Sequence, residues 1–163
     1  MNVPLPGISR FDIQDLAQAI AHCHASDALN CKFSAANWEI LAAYMQPFAL
    51  GSGQKLIEQG AVDRTLYFVE SGTLSVHYED DKSPIRMALV SSGGVVGAGA
   101  FFSHQPRNAT VQASGDCKLW CLNPMRFLEL SNRHCAIALE LTLALGAVIA
   151  KRLYISPKRV AVT

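Results

Sequence analysis

Residues 56–72 of this 163-residue chain read LIEQGAVDRTLYFVESG, and this stretch carries the strongest evidence for the fold. Aromatic and β-branched residues form a short run between Gly60 and Gly72, which is typical of a strand bounded by turns. The segment from Glu70 to Thr73 indicates a tight hairpin that leads into a second strand. We therefore expect a β-rich region at the centre of the chain.

The β pattern extends over residues 50–122, where glycines recur between short strand-like runs. Short strands separated by glycine turns are typical of an antiparallel sandwich or roll. A polar turn is predicted at Asp80–Pro84. The predicted strands are Lys55–Glu58, Thr65–Glu70, Thr73–Glu79, Arg86–Val90, Ala109–Ala113 and Lys118–Leu122.

Helices are predicted on both sides of this region. Apolar residues recur at helical spacing in residues 10–24 and 34–46, and Pro47 is expected to end the second helix. After the N-cap pair Asn123-Pro124, we expect a short helix to Leu130 and a long helix over residues 134–155.

The order of elements predicts a mainly β fold with flanking helices (α+β), in which the strands form an antiparallel sandwich or roll. We expect N-terminal helices and a long C-terminal helix around it. The predicted division is a helical extension at 1–33 and one domain at 34–163, with the roll at about 50–122 and the C-terminal helices at 123–156.

Composition excludes several classes of protein. Lys plus Arg number 14 and Asp plus Glu 13, so the net charge of +1 gives no support for nucleic-acid binding. The most apolar run, residues 135–150, is shorter than the roughly 20 residues that span a bilayer, and no membrane span is predicted.

The cysteines indicate neither a disulfide framework nor a zinc ribbon, because their number, five, is odd and no Cys-x-x-Cys occurs. Reduced thiols in a cytoplasmic protein are the simplest interpretation. His22, Cys23, His24 and Cys31 suggest a metal site at first sight. On a helix, however, neighbouring positions diverge, so we predict no metal.

A second stretch, residues 93–111, reads GGVVGAGAFFSHQPRNATV. Small residues at Gly97, Ala98, Gly99 and Ala100 allow backbone amides to face an anion. Ten residues after Gly97, Arg107 can bind a phosphate with two hydrogen bonds. Either this is a phosphate cradle, in which Asn108 adds a donor, or it is a glycine-rich turn with a surface arginine.

Together, the two stretches resemble the cyclic nucleotide-binding domain family over roughly residues 36–155. Gly60 and the run Leu66-Tyr67-Phe68-Val69 before Ser71-Gly72 are similar to one family signature. Gly97-Ala98 and Arg107-Asn108-Ala109 resemble the phosphate-binding cassette. The resemblance implies an eight-stranded, jelly-roll-like β-roll, also called a double-stranded β-helix. It also implies a ligand such as cAMP or cGMP, bound at Gly97, Ala98, Gly99, Ala100, Arg107, Asn108 and Ala109.

The sequence departs from the family pattern in the part of the site that would bind the ribose. The family's cassette glutamate, which bonds the ribose 2′-hydroxyl, is replaced by Ala98. Loss of a charged acceptor costs about 1.5–3 kcal/mol, or roughly 10- to 150-fold in affinity. The resemblance also implies that the C-terminal helix contacts the base, where Ser156 can serve but Pro157 cannot.

The long helix carries two apolar stripes. One consists of Ile137, Leu141, Ala144, Val148 and Ile155, and the other of Leu139, Leu143, Gly146, Ala150 and Leu153. One stripe can cover the roll while the other meets a second copy, which predicts a parallel homodimer through residues 134–155. The alternative is that the N-terminal helices cover the second stripe.

Three hypotheses for function remain. The first is a stand-alone regulatory module, not an enzyme, that binds a cyclic nucleotide or similar anion and relays binding through the C-terminal helix. The second is a degenerate fold that binds no nucleotide and serves in dimerisation or protein interaction. The third is a piece of a longer transcription regulator, although the eight residues after Ile155 leave no room for a DNA-binding helix pair. No catalytic residue or bound cofactor is predicted.

Overall fold

The computed structural model of the chain describes residues 10–82 and 84–155. It contains helices α1 to α5 and strands β1 to β8 within those ranges. The helices are α1 Ile13–Ala21, α2 Ala35–Ala42, α3 Ala98–Ser103, α4 Pro124–Arg133 and α5 Cys135–Ile155. The strands are β1 Gln46–Leu50, β2 Lys55–Ile57, β3 Leu66–Ser71, β4 Leu74–Glu79, β5 Pro84–Val90, β6 Val95–Val96, β7 Thr110–Ala113 and β8 Cys117–Leu122.

The strands form two four-stranded antiparallel sheets, with the orders β1-β8-β3-β6 and β2-β7-β4-β5. This is the predicted β-roll with flanking helices, so the fold class is confirmed. Along β3, Leu66 and Phe68 face one side of their sheet, while Tyr67 and Val69 face the other. Both faces are covered, which explains why the run Leu66–Val69 is apolar at every position rather than alternating.

Two cores lie on the two sides of the β1-β8-β3-β6 sheet. Between the sheets, side chains such as Val69, Leu74 and Leu119 are fully buried. On the outer side, Phe68 and Trp120 pack with residues of α1, α2, α4 and α5. Burial of these apolar side chains from water stabilises the roll and holds the helices against it.

The N-terminal helix α1 belongs to the helix-side core, because Ile13, Leu16 and Ile20 are buried in it. Asp12 is the N-cap of this helix, and its carboxylate accepts a hydrogen bond from the Gln14 amide. The division between an extension at 1–33 and a domain at 34–163 stays a prediction.

The predicted hairpin from Glu70 to Thr73 is wrong. β3 and β4 lie in different sheets, so the turn carries the chain from one sheet to the other. Gly72 has a φ of +93°, and a Cβ there would lie 2.6 Å from both the Asp116 carbonyl oxygen and the Cys117 sulfur. The glycine therefore allows two segments to approach closely rather than closing a hairpin.

Several other elements also differ from the predictions. The helix expected over 34–46 ends at Ala42, and Gln46–Leu50 forms β1, which lies at a sheet edge where Pro47 is tolerated. β6 has only two residues and was not predicted. The helix expected to end at Leu130 continues to Arg133, with the Ser131 hydroxyl bonded back to the Leu128 carbonyl.

The long helix α5 matches its predicted bounds, and its two stripes have different environments. Ile137, Leu141, Ala144 and Val148 are buried against the roll, whereas Ile155 at the end of that stripe is exposed. Leu139 and Leu143 of the other stripe are 61% and 66% exposed. None of the helices in the described part of the chain has the length and apolar character of a membrane span.

Candidate anion-binding site

The predicted cassette begins at Gly97 and continues through the short helix α3 to Arg107. Gly97 has a φ of +89°, and a Cβ there would lie 2.7 Å from both Arg107 Nη1 and the Thr65 carbonyl oxygen. Only glycine combines this conformation with such a close approach. The backbone at Gly97 therefore packs directly against the guanidinium group.

Arg107 is almost fully buried, with a side-chain exposure of 3%. Its Nη2 donates to Asp63 Oδ1 at 2.8 Å and to the Thr65 carbonyl oxygen at 2.6 Å. Its Nε donates to Asp63 Oδ2 at 3.2 Å, and Nη1 donates to the Gly97 carbonyl oxygen at 3.1 Å. A guanidinium has five N–H donors, so one donor on Nη1 remains after the acceptors in residues 10–82 and 84–155 are counted.

Asp63 stabilises the charge of the buried arginine. Partial burial raises the pKa of the Asp63 carboxyl, but hydrogen bonds from Arg107 and from the Thr65 amide, with the arginine charge, outweigh it. The net effect holds the pKa of Asp63 below its ordinary value. Asp63 therefore stays ionised at neutral pH and partly neutralises Arg107.

A small cavity of about 10 Å³ lies at this position. Four of its lining residues, besides the arginine, belong to the predicted site: Gly97, Ala100, Asn108 and Ala109. Ile57 on β2 completes the wall. This volume holds about one water molecule, so a ligand of nucleotide size needs the walls to move apart.

Two predicted residues of the cassette do not line this cavity. Ala98 is fully buried and packs in the helix-side core. Gly99 lines a neighbouring groove of about 370 Å³ between α3 and α5, together with Phe102 and Ile149. Ala100 and Asn108 line both spaces, so the groove adjoins the cavity. Ser156 lies outside the described residues.

The main partner of Arg107 was not predicted from the sequence. Asp63 lies 44 residues before Arg107, within the first quoted stretch. Its side chain also accepts a hydrogen bond from the Thr65 amide, as acidic residues before a strand often do in an Asx turn. That local signal predicts a turn, but it does not point to a distant arginine.

The other candidate residues do not assemble into a site. α1 ends at Ala21, so His22, Cys23 and His24 follow the helix instead of lying on it as we assumed. In the part of the chain that the structure describes, no group of three or more His, Cys, Asp or Glu side chains is placed to hold a metal ion. His104 is exposed at the end of α3.

The family model of the cyclic nucleotide-binding domain matches residues 48–134. The type II regulatory subunit of cAMP-dependent protein kinase from Drosophila melanogaster is 34% identical over 64 residues. That match covers 39% of this chain and 17% of the relative. The regulatory subunit of cAMP-dependent protein kinase from Blastocladiella emersonii is 31% identical over 86 residues, covering 52% and 21% respectively. The chain thus spans about a fifth of the length of these relatives.

Solved structures share the fold. A cyclic nucleotide-binding domain from Methylobacillus flagellatus superposes with a TM-score of 0.78 at 19% identity, covering 91% of this chain and 82% of that one. The catabolite activator protein of Thermus thermophilus gives a TM-score of 0.68 at 21% identity, covering 85% and 60%. At these identities the likeness extends to the fold alone.

Proposed function

Because the chain belongs to the cyclic nucleotide-binding domain family, we propose that it is a regulatory module that binds a cyclic nucleotide, or a similar small phosphate ligand, at Arg107. The family is regulatory rather than catalytic. Two relatives of the matched region are regulatory subunits of cAMP-dependent protein kinases, which favours cAMP as the first ligand to test, with cGMP for comparison.

The observation that carries this proposal is the position of Arg107. A buried guanidinium lies at the wall of a cavity, beside the small residues Gly97 and Ala100, and the described residues provide no acceptor for one of its Nη1 donors. A phosphate oxygen there would accept a charge-assisted hydrogen bond, which is stronger than a neutral one. Asn108 and Ala109 on the same wall complete the residues that we assign to the ligand.

Binding would require a local rearrangement. The cavity of about 10 Å³ is far smaller than a nucleotide, so the wall around Ile57 and Ala100 has to open. A ligand that binds only the open arrangement shifts the population toward it. The adjoining groove reaches Ile149 on α5, which gives opening a direct route to that helix.

A second candidate function is a module that binds no nucleotide and acts in dimerisation or protein interaction. The ion pair between Arg107 and Asp63 favours this second candidate, because the guanidinium already has a carboxylate partner without any ligand. The absence of the cassette glutamate at Ala98 favours it as well. The two candidates differ in one measurable property, which is affinity for a cyclic nucleotide.

We further propose that α5 forms the centre of a parallel homodimer. Its outward stripe includes Leu139, Leu143 and Leu153, each exposed by 46% or more. Exposed apolar side chains that lie together on one surface commonly mark an interface. A second copy of α5 would cover them, and Gly146 would allow close approach. A cytoplasmic location stays a prediction from the cysteine content.

Thermal unfolding in the presence of cyclic nucleotides tests the proposed function. A ligand at about 100 times its Kd stabilises the native state by about 2.7 kcal/mol, which raises the melting temperature by several degrees. We expect a concentration-dependent rise with cAMP or cGMP and a smaller rise with 5′-AMP. No rise with any of them at millimolar concentration would favour the module that binds no nucleotide.

A further inference from the structure

A second and larger cavity lies away from the Arg107 site. It has a volume of about 630 Å³ and opens between α1, the segment 22–34, the start of α2 and the end of α5. It shares no lining residue with the small cavity at Arg107. Its volume is within the range of about 300–1,000 Å³ that is usual for small-molecule sites.

The charged side chains that line this cavity have one sign. Lys32 and Lys151 line it, and none of its lining residues is Asp or Glu. Within residues 10–82 and 84–155, neither lysine takes part in an ion pair. The site therefore presents positive charge that no carboxylate of the described residues neutralises by direct contact.

The other polar groups that line the cavity carry no negative charge, and the carboxylate of Glu140, which acts on Cys31, is not part of the lining. Burial, together with the nearby Glu140, raises the pKa of Cys31 to about 12, so that thiol is neutral at physiological pH. Glu39 accepts a hydrogen bond from Gln14, but it does not line the cavity. Gln18 and Asn30 contribute amides, which can donate hydrogen bonds to an anion.

The remaining wall is apolar and held in place. Ile20, Leu29 and Trp38 are buried residues of the helix-side core and also line the cavity. The segment 22–34 is anchored to α5 because Arg152 donates to Asp27 Oδ2 at 2.7 Å. The same guanidinium donates to the Val95 carbonyl oxygen at 2.6 Å, which ties this end of α5 to the roll.

We propose that this cavity is a second ligand site, which binds a small amphipathic anion such as an aromatic or acyl carboxylate. The apolar body of the ligand lies against Leu29 and Trp38, and its carboxylate lies near Lys32 and Lys151. The proposal does not depend on nucleotide binding, since the two cavities have separate walls.

Tryptophan fluorescence of the intact chain tests this proposal, with octanoate as the probe. Trp38 lines the cavity, whereas Trp120 packs in the core beside Phe11. We expect octanoate to change the emission saturably and octanol to bind at least about tenfold more weakly, because it lacks the charge. The change should be lost in Trp38→Phe.

Lysine variants give the matched comparison. The double variant Lys32→Gln, Lys151→Gln should weaken octanoate binding by about tenfold or more, whereas Lys82→Gln, at an exposed position outside the cavity, should not. Equal affinity of the double variant and the unmodified chain would overturn the proposal. So would the absence of a saturable change.

Amide chemical-shift mapping on the unmodified chain checks the location without any substitution. Shifts concentrated in residues 14–38 and around Lys151 would support the second site. Shifts concentrated at residues 97–109, or none at all, would contradict it.

Discussion

Arg107 and Asp63 form a two-point ion pair in which the arginine side chain is 3% exposed and the carboxylate is 47% exposed. The pair is thus asymmetric, because the positive charge is removed from water and the negative one is not. Burying a charge is costly unless it is paired. Arg107 therefore needs the carboxylate of Asp63 more than Asp63 needs the guanidinium. That asymmetry determines how the site responds to substitution.

Removing the carboxylate should destabilise the chain. We expect Asp63→Ala to lower the free energy of unfolding by about 2 kcal/mol, since the Thr65 and Gly97 carbonyls still accept from Arg107. Urea unfolding monitored by circular dichroism measures the change. Asp81→Ala, at an exposed turn, is the control and should alter the midpoint little. Equal effects of the two substitutions would show that the pair is not stabilising.

The same pair predicts a dependence of stability on pH. The pKa of Asp63 is lower in the folded chain than its ordinary value, so its contribution is fully present above the unfolded-state pKa of about 3.9. This contribution is lost as pH falls through the lower folded-state pKa. Stability should therefore fall less steeply between about pH 5 and pH 3 in Asp63→Asn than in the unmodified chain. Parallel slopes in urea unfolding across that range would contradict the assignment.

Gly97 should be intolerant of any side chain. Gly97→Ala combines the cost of a φ of +89° with contacts of 2.7 Å to Arg107 and Thr65, and we expect a loss of about 3 kcal/mol. Gly53 is a matched control, since its φ is +80° but a Cβ there meets nothing within 4 Å. Gly53→Ala should cost only about 1 kcal/mol. Similar losses in the two variants would mean that packing against Arg107 is unimportant.

The two stripes of α5 should respond differently to a lysine. Leu143→Lys changes a side chain that is 66% exposed, so the subunit should stay folded while the proposed dimer dissociates. Leu141→Lys buries an unpaired charge at a fully buried position and should unfold the subunit. Light scattering and circular dichroism separate these outcomes. If the unmodified chain is a monomer at tens of micromolar, the homodimer is wrong.

The roll and the long helix were predictable from the sequence because each depends on local pattern. Glycine-bounded runs such as Leu66–Val69 predict strands, and the apolar run in α5 predicts a buried helix. Which stripe of α5 faces the roll was not predictable, because Leu139 and Leu141 are equally apolar. Only packing shows that Leu141 is buried.

Errors arose where the partner of a segment lies far away in the sequence. Gly72 lies between two strands, as a hairpin glycine would, yet its close neighbours are Asp116 and Cys117. Pro47 is compatible both with the end of a helix and with an edge strand. Only the pairing of β1 with β8, which is distant in the sequence, shows that Pro47 lies in a strand. Asp63 was not identified from the sequence for the same reason, because it lies 44 residues from its partner Arg107.

Isothermal titration of cAMP and cGMP into the unmodified chain and into Arg107→Lys tests the central claim most directly. Lysine keeps the charge but cannot reproduce the bonds of the guanidinium, so it separates specific recognition from simple attraction. Arg126→Lys, at a position that does not line the small cavity, is the matched control. We predict saturable binding to the unmodified chain and to Arg126→Lys, and at least about tenfold weaker binding to Arg107→Lys. No heat of binding to the unmodified chain, or equal affinities in all three proteins, would contradict ligand recognition by Arg107.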